Sequence, residues 1–312
     1  MAQDLIFTKP IFHEKIWGGR RLDTVFHYDI PEGAIGECWA ISAHPAGDCE
    51  VVSGPFAGSS LSQLWDEHHE LFGHAEGDRF PLLIKILDAD GDLSIQVHPD
   101  DEYARVHERG SLGKCECWYV LDCDEDATII VGQKAKDREE FAKLVEEGRW
   151  SDLVNEVPIH KGDFFQIDPG TIHAIKAGTT ILETQQSSDV TYRVYDYDRV
   201  QADGSLRELH LEPAIETLHY DKSEMVNSAK PTTVELPGMK RTTLVSNDSF
   251  TVEKLEVTGP AELEAGPYEL VTVARGAGRA NGEDITVGDQ FLLPRGESLS
   301  LDGDVTLFMT TA

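Results

Sequence analysis

The sequence predicts a mainly β protein, folded as a sandwich or barrel with helical insertions and followed by a second, smaller β unit. Short runs rich in β-branched and aromatic residues recur between glycine, proline and aspartate turns. Three stretches carry apolar residues at helical spacing. Residues 162–170 (GDFFQIDPG) align without gaps on residues 288–296 (GDQFLLPRG), which indicates that one β-turn unit is used twice.

The length and the charge of the chain limit its organisation and its partners. At 312 residues it exceeds the usual size of one domain, and we expect two units, residues 1–235 and 236–312. Lysine and arginine total 27 against 57 acidic residues, and the formal net charge of -30 argues against nucleic acid or an anionic membrane surface as partner. An anionic substrate therefore requires local basic residues, for which Lys114, Arg193 and Arg199 are candidates.

The predicted compartment is the cytoplasm. The first residues show no basic leader followed by an apolar core, and no apolar run approaches the roughly 18 to 20 residues of a membrane span. The chain has five cysteines, an odd number that is typical of reduced thiols in a large chain rather than of a disulfide framework.

The first third of the chain predicts strands and one helix. Residues 10–20 and 36–44 are rich in β-branched and aromatic residues between turn formers, which indicates strands and connecting loops. Between residues 60 and 72 the apolar positions recur at roughly helical spacing, and Ser59 or Ser60 is available as N-cap.

Two β-hairpins are predicted next. Residues 80–87 and 93–98 form strand-like runs on either side of a turn with an Asp-Gly step. Residues 117–121 and 127–131 form a second such pair across the charged residues 122–126.

The rest of the chain predicts one insertion, a linker and the second β unit. A helix begins at Asp137 and is expected to break at Gly148. The pattern loosens after Asp198, through residues 201–206, a short helix candidate at residues 212–218 and residues 228–234, and this whole region predicts the linker. Strands are predicted before this point at residues 163–168, 180–184 and 190–195, and after it at residues 250–257, 268–274 and 305–309.

Four residues predict a metal site. Gln96 and His98 lie two residues apart in a strand-like run, so both side chains project from the same face. Glu116 lies on a later strand, and a Pro-Gly turn delivers His173. Two imidazoles and one carboxylate are a common ligand set for zinc, iron or manganese, and Gln96 adds a neutral oxygen.

The repeat and the cysteines sharpen this prediction. In the second copy the place of His173 is taken by Leu299, so we expect the N-terminal unit alone to hold the metal. Cys115 and Cys117 face away from Glu116 on a strand, and no second Cys-x-x-Cys pair completes a thiolate site. We interpret these cysteines as small apolar packing residues.

Four segments together resemble the type I mannose-6-phosphate isomerases of the cupin superfamily, in particular their short bacterial form. They are residues 96–100 (QVHPD), 114–116 (KCE), 168–173 (DPGTIH) and the pair Tyr192-Arg193, in the same order as in that family. The resemblance runs from about residue 10 to residue 199. It implies a cupin jelly roll, followed by a degenerate C-terminal cupin unit without metal ligands.

The resemblance also implies an activity and a cofactor. The family interconverts mannose 6-phosphate and fructose 6-phosphate, an aldose–ketose isomerisation usually drawn through a cis-enediol. Its members bind zinc at the residues that match Gln96, His98, Glu116 and His173, which implies one Zn²⁺ per chain here; the ligand types leave Mn²⁺ or Fe²⁺ open as alternatives. The expected partner is thus a small sugar phosphate.

Three residues are candidates for the chemistry itself. Arg193, which is similar to the family's active-site arginine, is expected to stabilise developing negative charge or to orient the sugar. Lys114, in the family's Lys-x-Glu motif, is expected to contact the phosphate or to carry a proton. Glu183 is the candidate general base, although a salt bridge to a lysine or arginine explains it equally well.

One position departs from the family pattern. Some relatives carry a lysine after the His-Pro-Asp step, where this chain has Asp101. A phosphate contact at that point would therefore move to Lys114, Arg193 or the loop at residues 17–20.

Two other functions fit parts of the same pattern. A cupin oxygenase would use His98, Glu116 and His173 as a facial triad for iron, but Gln96 would then occupy a position that oxygen chemistry needs open. A non-catalytic sugar-phosphate-binding cupin would keep the pocket without turnover, although binding alone does not require the complete ligand set.

Overall fold

Strands dominate the structure, a computed structural model that describes residues 5–201, 203–220 and 230–312. The predicted mainly β class is confirmed. The strands are, in chain order, β1 Ile6–Lys9, β2 Ile11–Gly19, β3 Ile35–His44, β4 Gly47–Asp48, β5 Glu50–Val51, β6 Leu82–Ala89, β7 Ile95–Val97, β8 Glu116–Cys123, β9 Thr128–Gln133, β10 Val154–Pro158, β11 Phe164–Ile167, β12 His173–Ile175, β13 Thr179–Gln186, β14 Tyr192–Tyr195, β15 Thr232–Leu236, β16 Met239–Ser246, β17 Thr251–Val257, β18 Ala261–Leu263, β19 Glu269–Ala280, β20 Glu283–Thr286, β21 Gln290–Leu293 and β22 Leu299–Thr311.

The helices are short and lie between the strands. They are α1 Arg21–Thr24, α2 Leu61–Glu67, α3 Asp101–His107, α4 Arg138–Glu146, α5 Trp150–Leu153 and α6 Leu211–Thr217, together with 3-10 turns at Gly54–Phe56 and His69–Phe72. Across the described ranges, no helix is long and apolar enough to cross a membrane.

The predicted helices are confirmed as α2, α4 with α5, and α6, and side-chain caps explain where α2 and α4 begin. Ser60 accepts a hydrogen bond from the backbone of Gln63, whose side chain accepts one in return, so α2 begins with a capping box. The Asp137 side chain caps α4 by accepting a hydrogen bond from the backbone N–H of Glu140. Gly148 has a φ of 65° and separates α4 from α5, where the break was expected. Of the predicted linker, residues 202 and 221–229 lie outside the described residues, and residues 232–234, expected to be loose, form the start of β15.

Three antiparallel sheets form the layers of the molecule. A seven-stranded sheet has the order β11-β8-β13-β6-β2-β3-β4, and a five-stranded sheet has the order β10-β9-β12-β7-β14. A ten-stranded sheet has the order β15-β16-β17-β22-β19-β21-β1-β5, with β18 beside β22 and β20 beside β19. Apolar side chains from β6, β8 and β13 meet those of β9 and β12 in one core between the first two sheets.

The two predicted hairpins are wrong in their pairing. β6 lies in the seven-stranded sheet and β7 in the five-stranded sheet, so residues 88–92 carry the chain from one sheet to the other. β8 and β9 are divided between the sheets in the same way. The physical reason is burial: all eight residues of β6 are buried, which requires strands on both sides and layers on both faces.

The internal repeat is confirmed at the level of backbone geometry. Gly162 and Gly288 have φ angles of 95° and 94°, and Gly170 and Gly296 have 77° and 82°. The Asp163 carboxylate accepts a hydrogen bond of 2.7 Å from the backbone N–H three residues earlier, and Asp289 repeats this contact at 2.7 Å. Both copies therefore use the same glycine-dependent turn before a buried strand.

The two expected units share strands and a core. The expected boundary between residues 235 and 236 falls inside β15, and β1 from the N-terminus pairs with β21. One hydrophobic cluster joins β3, β6 and β13 of the seven-stranded sheet to β17, β19 and β22. The division into residues 1–235 and 236–312 stays a prediction.

Candidate metal centre and active-site cavity

The predicted metal ligands converge inside the N-terminal sandwich. Gln96 on β7 stands opposite His173 on β12 in the register of the five-stranded sheet, and His98 follows β7 directly. Glu116 begins β8 on the facing sheet and points inward, whereas its neighbour Cys117 packs toward the C-terminal sheet. The two sheets thus supply ligands from opposite sides.

The distances among these side chains are those of a metal-binding group. His98 Nε2 lies 3.1 Å from His173 Nε2, and the Glu116 carboxylate oxygens lie 3.4 Å from His173 Nε2 and 3.6 Å from His98 Nε2. The three residues are at most 1% exposed, and their ligand atoms all lie within 4.8 Å of one another. This buried group could hold a metal ion.

Hydrogen bonds to the backbone fix the tautomer of both histidines. His98 Nδ1 lies 2.8 Å from the Val190 carbonyl oxygen, and His173 Nδ1 lies 2.9 Å from that of Thr171. A carbonyl oxygen only accepts, so each Nδ1 carries the hydrogen and each Nε2 presents its lone pair. Two lone pairs that face each other at 3.1 Å cannot bond to one another; a metal ion would satisfy both and would take the place of the Lys114 ammonium, which lies 3.0 Å from His98 Nε2.

The ionisation of the group agrees with this reading. Burial and the neighbouring Lys114 ammonium lower the pKa of His98 well below its usual value and that of His173 to about 3, so both rings are neutral. Burial raises the pKa of Glu116 to about 7, against the opposing effect of Lys114. In the described part of the chain, Glu116 Oε1 has no hydrogen-bond donor.

Gln96 and Lys114 border the same group. The Gln96 amide nitrogen Nε2 lies 3.4 Å from His173 Nε2, and its oxygen accepts a hydrogen bond of 3.3 Å from the Ser94 hydroxyl. Lys114 Nζ donates to His98 Nε2 at 3.0 Å and forms a short hydrogen bond to Glu116. Lys114 is only 4% exposed, and it lies between this group and the cavity that it also lines.

A cavity of about 410 Å³ opens beside the metal-binding group. Gln96 and all three residues predicted to act in catalysis, Lys114, Glu183 and Arg193, line it. Of the other positions considered for a phosphate contact, Arg20 and Asp101 lie elsewhere: the Arg20 side chain turns to the carbonyls of Pro31 and Gly33, and Asp101 accepts hydrogen bonds from Gly113 and Gln186. Trp17 from the same loop as Arg20 does line the cavity.

Glu183 forms a salt bridge to a lysine, which the sequence allows as the alternative to a general-base role. Its carboxylate lies 3.3 Å from Lys85 Nζ, its register partner on β6, and accepts a hydrogen bond of 3.1 Å from Trp118 Nε1. Burial alone would raise the pKa of Glu183, but Lys114, Lys85 and the Trp118 hydrogen bond outweigh it and lower the pKa. Glu183 is therefore an ionised carboxylate at the cavity wall.

Sequence reasoning missed several residues that line the cavity, most notably Lys85 and Arg207. A signal for Lys85 was present, because it is the lone charge in an apolar run (PLLIKIL) that predicts a buried strand. A lysine that is buried in such a strand requires an anionic partner. Arg207 lies in a loop without regular pattern, and no such signal marks it.

A mainly β sandwich with inward-facing histidines, one carboxylate and an adjacent charged cavity defines a cupin-type metal-binding protein. Comparison with known proteins gives the family. A model of the type I phosphomannose isomerase catalytic domain matches residues 6–123. The chain is 48% identical to mannose-6-phosphate isomerase ManA of Bacillus subtilis over 95% of either chain. It is also 48% identical to mannose-6-phosphate isomerase of Streptococcus mutans, over 98% of this chain and 94% of the relative. The chain belongs to the type I phosphomannose isomerase family.

Solved structures agree with the assignment of the fold. The crystal structure of mannose 6-phosphate isomerase from Bacillus subtilis superposes with a TM-score of 0.96 at 43% identity, covering 99% of this chain and all of that one. A variant of phosphomannose isomerase from Salmonella typhimurium shares the fold with a TM-score of 0.78 at 13% identity. The predicted resemblance and the cupin-type fold are confirmed.

Proposed function

We propose that this protein is a metal-dependent isomerase that interconverts mannose 6-phosphate and fructose 6-phosphate. The observation that carries the proposal is the buried group of His98, Glu116 and His173 beside a cavity lined with cationic side chains. Two relatives named mannose-6-phosphate isomerase match nearly the whole chain at 48% identity. The partner is a small sugar phosphate, and five free cysteines are consistent with the cytoplasm as the proposed location.

The ligands proposed for the metal are His98 Nε2, His173 Nε2, the Glu116 carboxylate and the Gln96 amide oxygen. A half-turn of the Gln96 amide would bring its oxygen to the position of Nε2, 3.4 Å from His173 Nε2. Neutral nitrogen, carboxylate and amide ligands favour Zn²⁺, with Mn²⁺ or Fe²⁺ as alternatives. A bound divalent ion stabilises negative charge that develops on a substrate oxygen during isomerisation.

The remaining residues of the cavity move the proton and hold the sugar. Glu183, kept ionised by Lys85 and Trp118, takes the proton from C2 of mannose 6-phosphate and returns it to C1 through a cis-enediol, while the hydroxyl proton on O2 passes to O1; the reverse reaction runs the same steps backwards. Lys114 donates a hydrogen bond to the oxygen on which charge develops. Arg193 orients the sugar. It lies on β14, where it pairs with Gln96 of the neighbouring strand β7.

Removal and return of the metal tests this proposal. Dialysis against a chelator is expected to abolish the conversion of mannose 6-phosphate, followed in an assay coupled to fructose 6-phosphate, and stoichiometric Zn²⁺ is expected to restore it. Oxygen uptake in the presence of Fe²⁺ is measured on the same samples and is expected to stay at background. Full turnover by metal-free protein, or oxygen uptake that depends on iron, would refute the isomerase proposal.

A further inference from the structure

Two guanidinium groups meet at the wall of the cavity, and neither is fully paired. Arg193 and Arg207 both line the cavity. The Nη1 of Arg193 donates to the Glu208 carbonyl oxygen at 2.9 Å, a neutral acceptor. Its Nε is buried and has no hydrogen-bond acceptor among the residues that the structure describes. A buried donor without an acceptor is costly unless a ligand completes it.

Arg207 is held in place by a buried carboxylate. Its Nε donates to Asp196 Oδ2 at 2.7 Å, and its Nη2 forms a short hydrogen bond to Asp196 Oδ1, which leaves Nη1 outside the pair. Asp196 is only 5% exposed and also binds Arg199, which does not line the cavity. One carboxylate thus serves two guanidiniums.

The local charge balance favours an anion at this wall. Asp196 neutralises one of its two arginines, and Arg193 has no carboxylate partner in the described part of the chain. The three guanidinium groups of Arg193, Arg199 and Arg207 and the single carboxylate of Asp196 leave an excess of positive charge. The protein as a whole has a formal net charge of -30. Of the acidic residues that line the cavity, Glu37 and Glu183 are each paired with a lysine, and Asp189 is the third. Because Glu37 and Glu183 are each paired with a lysine, neither of them neutralises Arg193 or Arg207.

We infer that Arg193 and Arg207 form the subsite for the phosphate group of the substrate, and that Arg207 determines the specificity for phosphorylated sugars. The inference rests on the proposed function and adds a residue to it. A phosphate dianion accepts hydrogen bonds from several guanidinium donors at once, which suits the free Nε of Arg193 and Nη1 of Arg207. The Asp196 pair keeps Arg207 rigid, so little side-chain entropy is lost on binding.

The Arg207→Ala variant tests the subsite. We expect its KM for mannose 6-phosphate to rise about 10- to 100-fold, because charge-assisted hydrogen bonds to the phosphate are lost, whereas kcat changes little. The inhibition constant of inorganic phosphate, used as a competitive inhibitor, is expected to rise by a similar factor. Arg207→Lys keeps the positive charge but lacks the planar guanidinium that donates two hydrogen bonds at once. It is expected to recover part of both losses.

Arg199→Ala is the matched control. It also removes one of the two arginines from Asp196, but it takes no side chain from the cavity wall. Unchanged KM and phosphate inhibition in Arg207→Ala, or equal losses in Arg199→Ala, would overturn the subsite and assign Arg207 a structural role.

Failure of the proposed function is distinguished from this result, because the wild-type protein would then not isomerise mannose 6-phosphate at all. Binding of inorganic phosphate to folded wild type and Arg207→Lys, measured by calorimetry, decides the subsite in that case.

Discussion

At the scale of single residues, the buried pair Lys85–Glu183 is the feature with the clearest energetic consequence. Its side chains are 9% and 5% exposed, so removal of one partner leaves an uncompensated charge in the core. Lys85→Met is therefore expected to lower the free energy of unfolding by about 3–5 kcal/mol. The double variant Lys85→Met/Glu183→Leu is expected to recover most of this loss, since apolar residues replace the whole pair.

Urea unfolding and the coupled isomerase assay check this prediction together. Both variants are expected to be nearly inactive, because the ionised Glu183 is disturbed in one and absent in the other. Lys15→Met is the control for stability, since its ion pair with Glu37 is partly exposed and contributes about 0–1 kcal/mol. A double variant as unstable as Lys85→Met would show that other carboxylates, and not Glu183, require the lysine.

The residues of the candidate site could be predicted from the sequence, but the side chains with which they form salt bridges and hydrogen bonds could not. Ligand spacing on a strand and the Pro-Gly turn before His173 are local features, so the sequence displays them directly. The salt bridge of Glu183 depends on the register between β13 and β6, which lie about a hundred positions apart in the chain. Long-range register of this kind has no signature within either segment.

At the scale of elements, the repeated turn before β11 and β21 allows a matched comparison. Gly162 and Gly288 have nearly the same φ, so replacement by alanine introduces the same backbone strain, about 1–3 kcal/mol. At Gly288 the added Cβ would also lie 2.9 Å from the Phe26 carbonyl oxygen, whereas at Gly162 it meets only the Tyr119 hydroxyl at 3.7 Å. We expect Gly288→Ala to be clearly more destabilising than Gly162→Ala in chemical unfolding, and equal losses would show that the clash relaxes.

Elements were predicted with the right type more often than with the right partners. The capped helices α2 and α4 carry their signals within a few residues, and these were found. The aspartate-rich turns after β6 and β8 predict hairpins, yet in both places the chain crosses to the other sheet and forms β7 and β9 there. The turn chemistry is the same for both outcomes, and only the burial of both strand faces decides between them.

At the scale of the whole molecule, the shared core predicts a single unfolding unit. β1 pairs with β21, and one cluster joins side chains from Ile6 to Phe308 across the seven-stranded and ten-stranded sheets. Calorimetry is therefore expected to show one transition whose calorimetric and van't Hoff enthalpies agree. Leu270→Ala, at a fully buried position of this cluster, is expected to lower that transition without splitting it. Two resolved transitions would show that the C-terminal unit folds independently.

The central claim is that isomerase turnover depends on a metal held by His98, Glu116 and His173. Its most direct test measures metal content and mannose 6-phosphate turnover on the same preparations of wild type, His173→Ala and His160→Ala, the last altering an exposed histidine as control. We predict about one metal ion per chain in wild type and in the control, and in His173→Ala a loss of most of the metal together with at least about a 100-fold loss of turnover. His173→Ala protein that keeps both its metal and its turnover would contradict the account.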